Sequence, residues 1–152
     1  PLSGLVTDCA APHQASAQAK GLKFELNLAE DLPSEIVTDP TRLAQILNNL
    51  LSNAVKFTTA GQIDLNVTRT EREITIAVRD TGPGIPHESR EVIFEKFKQL
   101  ANFLTREHGG TGLGLALARQ MAEHMGGAIK LDSEVGVGST FTVHLPLNKK
   151  PD

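Results

Sequence analysis

The 152-residue chain has no tryptophan, no tyrosine, one cysteine and no apolar run near the ~18 residues that a membrane span needs. Six phenylalanines are its whole aromatic complement, too few for the stacking platform on which proteins hold single-stranded nucleic acid. The lone Cys9 excludes an internal disulfide framework and fits a reducing compartment. Charge of neither sign dominates. A net charge of −3 gives no general attraction to nucleic acid or to an anionic membrane. His13, His87, His108, His124 and His144 form no HExxH and no Cys/His cluster, which argues against a zinc site. No signal peptide is visible, and Pro1 is not an initiator Met, so the chain reads as a piece of a longer protein.

What remains is an ordinary globular composition. Apolar residues make up 39% and thirteen glycines bring the total near half, as in typical folded domains. The length suffices to bury roughly two-thirds of the unfolded surface. With no internal repeat and no linker-like stretch, residues 1–152 read as one domain.

Hydrophobic periodicity orders the elements. Residues from Ser3 to Lys20 are weakly helical and interrupted at Pro12, with Gly21 as a stop. Leu22, Phe24, Leu26 and Leu28 alternate as in a half-buried strand, and Ile36–Val37 reads as a short one. Asp39–Pro40 supplies an N-cap and a first-turn proline for a helix from Thr41 to Phe57. Leu43, Ile46, Leu47, Leu50, Leu51 and Ala54 form its apolar stripe. Ile63, Leu65 and Val67 pair as a hairpin with Ile74, Ile76 and Val78. A Gly/Pro turn at Gly82 to Pro86, a short helix from about Pro86 to Phe94 and a long loop from Phe97 to Gly112 come next. A second firm helix runs from about Leu113 to Met125, capped by Gly126 and Gly127, before a closing hairpin of Ala128 to Ser133 and Thr140 to Leu145. Hairpins interleaved with helices predict an α/β fold, a two-layer sandwich whose mixed sheet carries helices on one face.

Three places invite chemistry. On the first firm helix Arg42, Gln45, Asn49, Asn53 and Lys56 fall within a stripe of roughly 80°. It is either a solvated face or a ligand face. Two asparagines a turn apart oppose helix propensity, and a carboxamide can ligate a hard cation or donate to phosphate. Asp80 continues the inward register of Ile74, Ile76 and Val78, so its carboxylate requires a donor from the protein or from a ligand amine. Gly82 and Gly84, just after it, permit close approach of a ligand or simply a turn. Gly109 to Gly114 opens the second helix, where free N–H groups suit phosphate. It matches neither a P-loop nor a dinucleotide fingerprint.

Together, in this order and spacing, these pieces resemble the catalytic and ATP-binding domain of sensor histidine kinases, within the superfamily that includes gyrase-type topoisomerases, the ninety-kilodalton chaperones and mismatch-repair ATPases. Asn49-Leu-Leu-Ser-Asn53-Ala-Val-Lys56-Phe57 corresponds to the N box, Asp80-Thr-Gly82-Pro-Gly84-Ile85 to the first Gly box and Phe94-Glu-Lys-Phe97 to the F box. Gly110-Thr-Gly112-Leu-Gly114-Leu resembles the second Gly box and Gly136-Val-Gly138-Ser-Thr-Phe141 the last. The resemblance implies a Bergerat-type ATP-binding fold and roles for individual residues. Asn53 would hold Mg²⁺ with Asn49 assisting, and Lys56 would contact phosphate. These three would be the catalytic residues. Phe57, Ile85, Phe97 and Thr140 would lie at the nucleotide. Asp80 would accept from the adenine amino group, and Gly82 and Gly84 would line its pocket. Gly110, Thr111, Gly112, Leu113 and Gly114 would border the triphosphate, with a lid of about Lys98 to Gly109 held at its other end by Phe94 and Phe97.

Two departures shape the expected function. Hydrolytic members of the superfamily carry a water-activating Glu where this chain has Asn49, so the general base of an ATPase is missing. The phosphoacceptor histidine of the kinases lies on a dimerisation helix that this chain lacks. His87-Glu88-Ser89-Arg90 mimics its motif without the aliphatic residue, and after the first Gly box. The expectation is a phosphoryl donor module that holds Mg-ATP and presents the γ-phosphoryl to a histidine on a separate dimerisation domain, upstream of a response-regulator receiver. It would be cytoplasmic and touch neither nucleic acid nor membrane, whether or not the parent is membrane-anchored. A serine kinase of the same superfamily and a nucleotide-free scaffold are the rival readings.

Overall fold

A computed structural model describes residues 2–33, 39–82, 84 and 113–147. Ile36–Val37, the short helix of 86–94 and the loop of 97–112 lie outside them.

Helix α1 spans Leu2–Ala19 and continues through Pro12, where the sequence predicts a break. Pro12 removes one hydrogen-bond donor, but Leu2, Val6, Cys9, Ala10 and Ala17 are all buried on one side. Tertiary packing therefore holds the helix across the proline. Its end is a Schellman motif. Gly21, at φ +81°, donates to the Gln18 carbonyl at 3.0 Å, and Leu22 donates to that of Ala17 at 2.9 Å.

Strand β1 (Lys23–Leu28) leads to α2 (Pro40–Phe57). Asp39 caps α2 as its sequence implies, Oδ1 accepting from the Thr41 and Arg42 amides at 3.0 and 3.1 Å, a contact worth ~1 kcal/mol. The whole predicted apolar stripe of α2 is buried, with Val55 added. The hairpin β2 (Gln62–Arg69) and β3 (Glu73–Asp80) turns on Thr70, whose Oγ1 accepts from the amides of Arg72 and Glu73. Helix α3 (Leu113–His124) ends in a second Schellman motif at Gly126–Gly127. The hairpin β4 (Ala128–Glu134) and β5 (Gly138–Pro146) completes the described chain.

The strands form one five-stranded sheet in the order β1-β2-β3-β5-β4. β1 is parallel to β2, and the other pairs are antiparallel, so the sheet is mixed. Ile63, Leu65, Val67, Ile74, Ile76, Val78, Phe141, Val143 and Leu145 are buried with the apolar sides of the helices in one core. The alternate positions form a polar outer face. There Asn27 donates to Asn66 at 2.8 Å, Thr68 bonds Thr75, and His144 Nδ1 lies 2.9 Å from Glu73 Oε1. This is the expected α/β sandwich.

Candidate functional site

The site is built where α2 ends beside the end of β3. On α2 the polar stripe begins exposed at Arg42 and Gln45 and becomes half-buried at Asn49, Asn53 and Lys56, with Phe57 half-buried at the helix end. The stripe is therefore no uniform solvent face. The C-terminal carbonyls of α2 are held from outside: Lys20, just past the end of α1, reaches the Val55 oxygen and, at 3.5 Å, that of Lys56. A cation at this position also suits the negative end of the helix dipole.

Asp80 closes β3 on the inward face and is only 9% exposed. Its Oδ1 accepts from the Gly82 amide at 2.9 Å, and the Ser139 amide is a second donor. Burial pushes its carboxyl above the ordinary range, against the pull of these two amides. An ionised carboxylate offers about four acceptor positions, so capacity remains for a ligand donor.

The glycines around Asp80 serve steric ends. A Cβ on Gly82 would stand 3.0 Å from Asp80 Oδ1 and 3.1 Å from the Phe57 carbonyl oxygen, so this glycine lets the end of β3 pass the end of α2. Gly84 has φ +78°, and a Cβ there would lie 2.3 Å from the Glu134 carbonyl oxygen. Gly84 thus packs beneath the β4–β5 turn. The inferred first and last Gly boxes touch each other, backbone to backbone.

Leu113 opens α3 and Gly114 follows it in the first turn, where helix N–H groups are unsatisfied within the helix. Ile85, Phe94, Phe97, Gly110, Thr111 and Gly112 lie outside the described residues.

Thr140 lies one residue beyond the strand partner of Asp80. It pairs with Arg79, while Ser139 pairs with Asp80. Because strand side chains alternate, Thr140 shares the face of Arg79, and Ser139 shares that of Asp80. Thr140 borders an open depression that Arg79, Asp80, Asp132, Glu134 and Ser139 also line. Ser139 is buried, and its hydroxyl meets that of Ser133 at 2.8 Å. Counting back by two from the inward Phe141 would have found it. Thr58, wholly buried beside Gly82, was also missed. It follows the last residue of α2, beyond the reach of helical periodicity.

With this geometry in hand, the relatives are informative. The histidine kinase-, DNA gyrase B-, and HSP90-like ATPase family matches residues 38–149. The chain belongs to that family, as a catalytic domain of the sensor histidine-kinase type. It is 41% identical over 142 residues to the signal transduction histidine-protein kinase BarA of Escherichia coli, covering 90% of this chain and 16% of that protein. It is 46% identical over 138 residues to the aerobic respiration control sensor protein ArcB of Escherichia coli, covering 86% of this chain and 17% of that one. The chain thus spans about a sixth of the length of these relatives. Among solved structures, full-length ShkA in complex with AMPPNP superposes with a TM-score of 0.85 at 34% identity, over 100% of this chain and 31% of that one.

Proposed function

We propose that this domain binds ATP with Mg²⁺ and donates the γ-phosphoryl to a histidine on a separate helical dimerisation domain, from which a response-regulator receiver takes it. The observation that carries the reading is the buried carboxylate of Asp80, with spare acceptor capacity, set beside the half-buried polar end of α2. Asp80 would accept from the adenine amino group, and Asn49, Asn53 and Lys56 would face the phosphates. A solved relative bound to AMPPNP supports the same ligand.

Among the described residues no three His, Cys, Asp or Glu side chains gather to hold a metal unaided. Mg²⁺ commonly takes one or two protein oxygens and completes its shell with phosphate and water, so the donor set fits Asn53 with Asn49 beside it. When bound, the ion neutralises phosphate charge. The chain's own work is positioning: Lys56 offsets charge, the first turn of α3 offers N–H groups, and Asp80 fixes the base. Asn49 lacks the basicity to activate water, which favours transfer over hydrolysis. These steps belong on the cytoplasmic side of the parent protein. No helix among the described residues is long and apolar enough to cross a membrane.

The test is calorimetric titration of the chain with Mg-ATP, followed by a radiolabel transfer assay to the parent's acceptor domain. Saturable binding with label on a histidine is expected. No binding, or label on serine, would overturn the reading.

A further inference from the structure

The described helices do not end alike. α1 and α3 close on glycine, Gly21 at φ +81° and Gly126 at φ +84°, in motifs that satisfy their own last carbonyls. Helix α2 has no such glycine. Its cap, Thr58, is extended at φ −94° and ψ 116°, and the Thr58 N–H donates to the Ala54 carbonyl. Among the described residues no main-chain N–H reaches the carbonyls of Val55 and Lys56. The extended exit carries the chain past Gly82, where a Cβ would stand only 3.1 Å from the Phe57 carbonyl oxygen. A left-handed residue at Thr58 would redirect the chain and lose that approach. The shape of the site therefore excludes the local cap that the other helices use.

Lys20 supplies what the exit leaves out. Its ammonium, with three donors and a full charge, reaches the Val55 oxygen and lies 3.5 Å from the Lys56 oxygen. Its main chain is fixed on both sides. The Lys20 and Leu22 N–H groups both donate to the Ala17 carbonyl, at 3.0 and 2.9 Å, and the Lys23 N–H donates to the Gly61 carbonyl at 3.1 Å. The lysine is thus anchored between the end of α1 and the entry to β2, with its charge at the negative end of α2. Carbonyls without partners leave a last turn prone to fray. The turn in question carries Asn53 and Lys56. Asn49 lies one turn deeper, and Asp80 sits on β3.

We propose that Lys20 is a positioning residue for phosphoryl transfer, a cap lent from outside the helix that holds the last turn of α2 so that Asn53 and Lys56 meet the phosphates. The inference rests on the nucleotide reading of the site. Lys20 acts through the main chain of Val55 and Lys56 rather than on the nucleotide. Its loss should be felt at the phosphate end of the ligand and not at the base, because Asp80 and Gly82 are held independently by β3 and by the contacts of Gly82 with Phe57 and Thr58.

The experiment compares the unaltered chain with Lys20→Met, which keeps the apolar stem and removes the charge, and Lys20→Arg, whose guanidinium can still donate to both oxygens. Chemical-shift titration reads the affinity for Mg-ATP and for adenosine, which has the base and no phosphate. A radiolabel assay reads transfer to the parent's acceptor domain at saturating Mg-ATP, and thermal melts read Tm without nucleotide. For Lys20→Met, transfer at saturation should fall about ten- to a hundredfold, the scale of a reacting group misplaced by a small distance. Mg-ATP affinity should fall about three- to tenfold, with adenosine affinity unchanged. Lys20→Arg should restore both losses. Full transfer by Lys20→Met overturns the proposal, as does an equal loss of adenosine and Mg-ATP affinity, which is the mark of a merely structural role. An arginine variant no better than the methionine one overturns it as well. If Lys20→Met does not fold, Lys20→Gln, which keeps a donor without the charge, is read by the same criteria. Failure of the unaltered chain to bind Mg-ATP would instead overturn the nucleotide reading.

Discussion

Gly138 lies against the main chain of Asp80: with its φ of +145°, a Cβ on this glycine would stand 2.0 Å from the Asp80 carbonyl oxygen. Gly84 makes the reciprocal contact, beneath Glu134. The β4–β5 hairpin and the segment after β3 are thus interlocked through two positions that have no room for a side chain. Asp80 owes its placement to both.

Gly138→Ala should therefore destabilise the fold by about 2–4 kcal/mol, combining a left-handed backbone with a backbone clash. Urea unfolding checks this. The midpoint should fall at constant m, since the surface exposed on unfolding is unchanged. A loss within ~0.5 kcal/mol, typical of an ordinary surface position, would show that the hairpin yields easily.

Asp80→Asn should separate binding from folding. The amide can present its NH₂ to the adenine amino group, and losing a charge-assisted bond costs about 1.5–3 kcal/mol, or roughly ten- to a hundredfold in ATP affinity. Calorimetry reads the affinity per folded molecule. Unchanged affinity would make Asp80 a purely structural residue.

The same pair of proteins tests the sign of the pH dependence. Burial raises the folded-state pKa of Asp80 above its ordinary 3.8, so the native state holds the proton more tightly than the unfolded chain. Its favourable contribution is full below that ordinary value and is lost as pH rises through the raised folded value. Asn does not titrate. The stability of Asp80→Asn relative to the unaltered chain should therefore increase from about pH 4 toward neutrality, read from thermal melts without nucleotide. A decrease over that interval would refute the raised value.

Asn53→Ala should abolish metal-dependent phosphotransfer to the parent's acceptor domain yet leave ADP binding without metal intact. Asn53 lies on α2 and Asp80 ends β3, so the two would grip different ends of one nucleotide. Positioning is most of what such a site contributes. Unimpaired transfer in a radiolabel assay would remove Asn53 from the mechanism.

Hydrolysis by the chain alone should be very slow, because the carboxamide of Asn49 has no basicity with which to activate water. A phosphate-release assay decides. Turnover near the ~10 s⁻¹ median of enzymes would mean that another group activates water.

Much of this was legible from periodicity. The stripe of α2, both hairpins and the inward direction of Asp80 come from counting by 3.6 or by two, and the cap at Asp39 from residue type. What escaped depended on contacts between distant segments. The continuity of α1 across Pro12 comes from packing on α2 and β1, which no local preference encodes. Thr58 is buried because Gly82 passes over it. Ser139 and Thr140 are neighbours of similar chemistry, and only the strand register assigns one to Asp80 and the other to Arg79.

The family match begins at residue 38, yet β1 and α1 precede it and are structurally inseparable from the matched part of the chain. β1 covers one side of β2 through the full register from Lys23↔Gln62 to Leu28↔Val67. A protein trimmed to the matched residues would turn β2 into a bare sheet margin with unpaired N–H and C=O groups, a template for strands of other molecules. It would also uncover the apolar residues that α1 shields and release the terminus of α2 from Lys20. Self-association would then compete with nucleotide for the same molecules, so the residues before the recognisable domain act as its guard against aggregation.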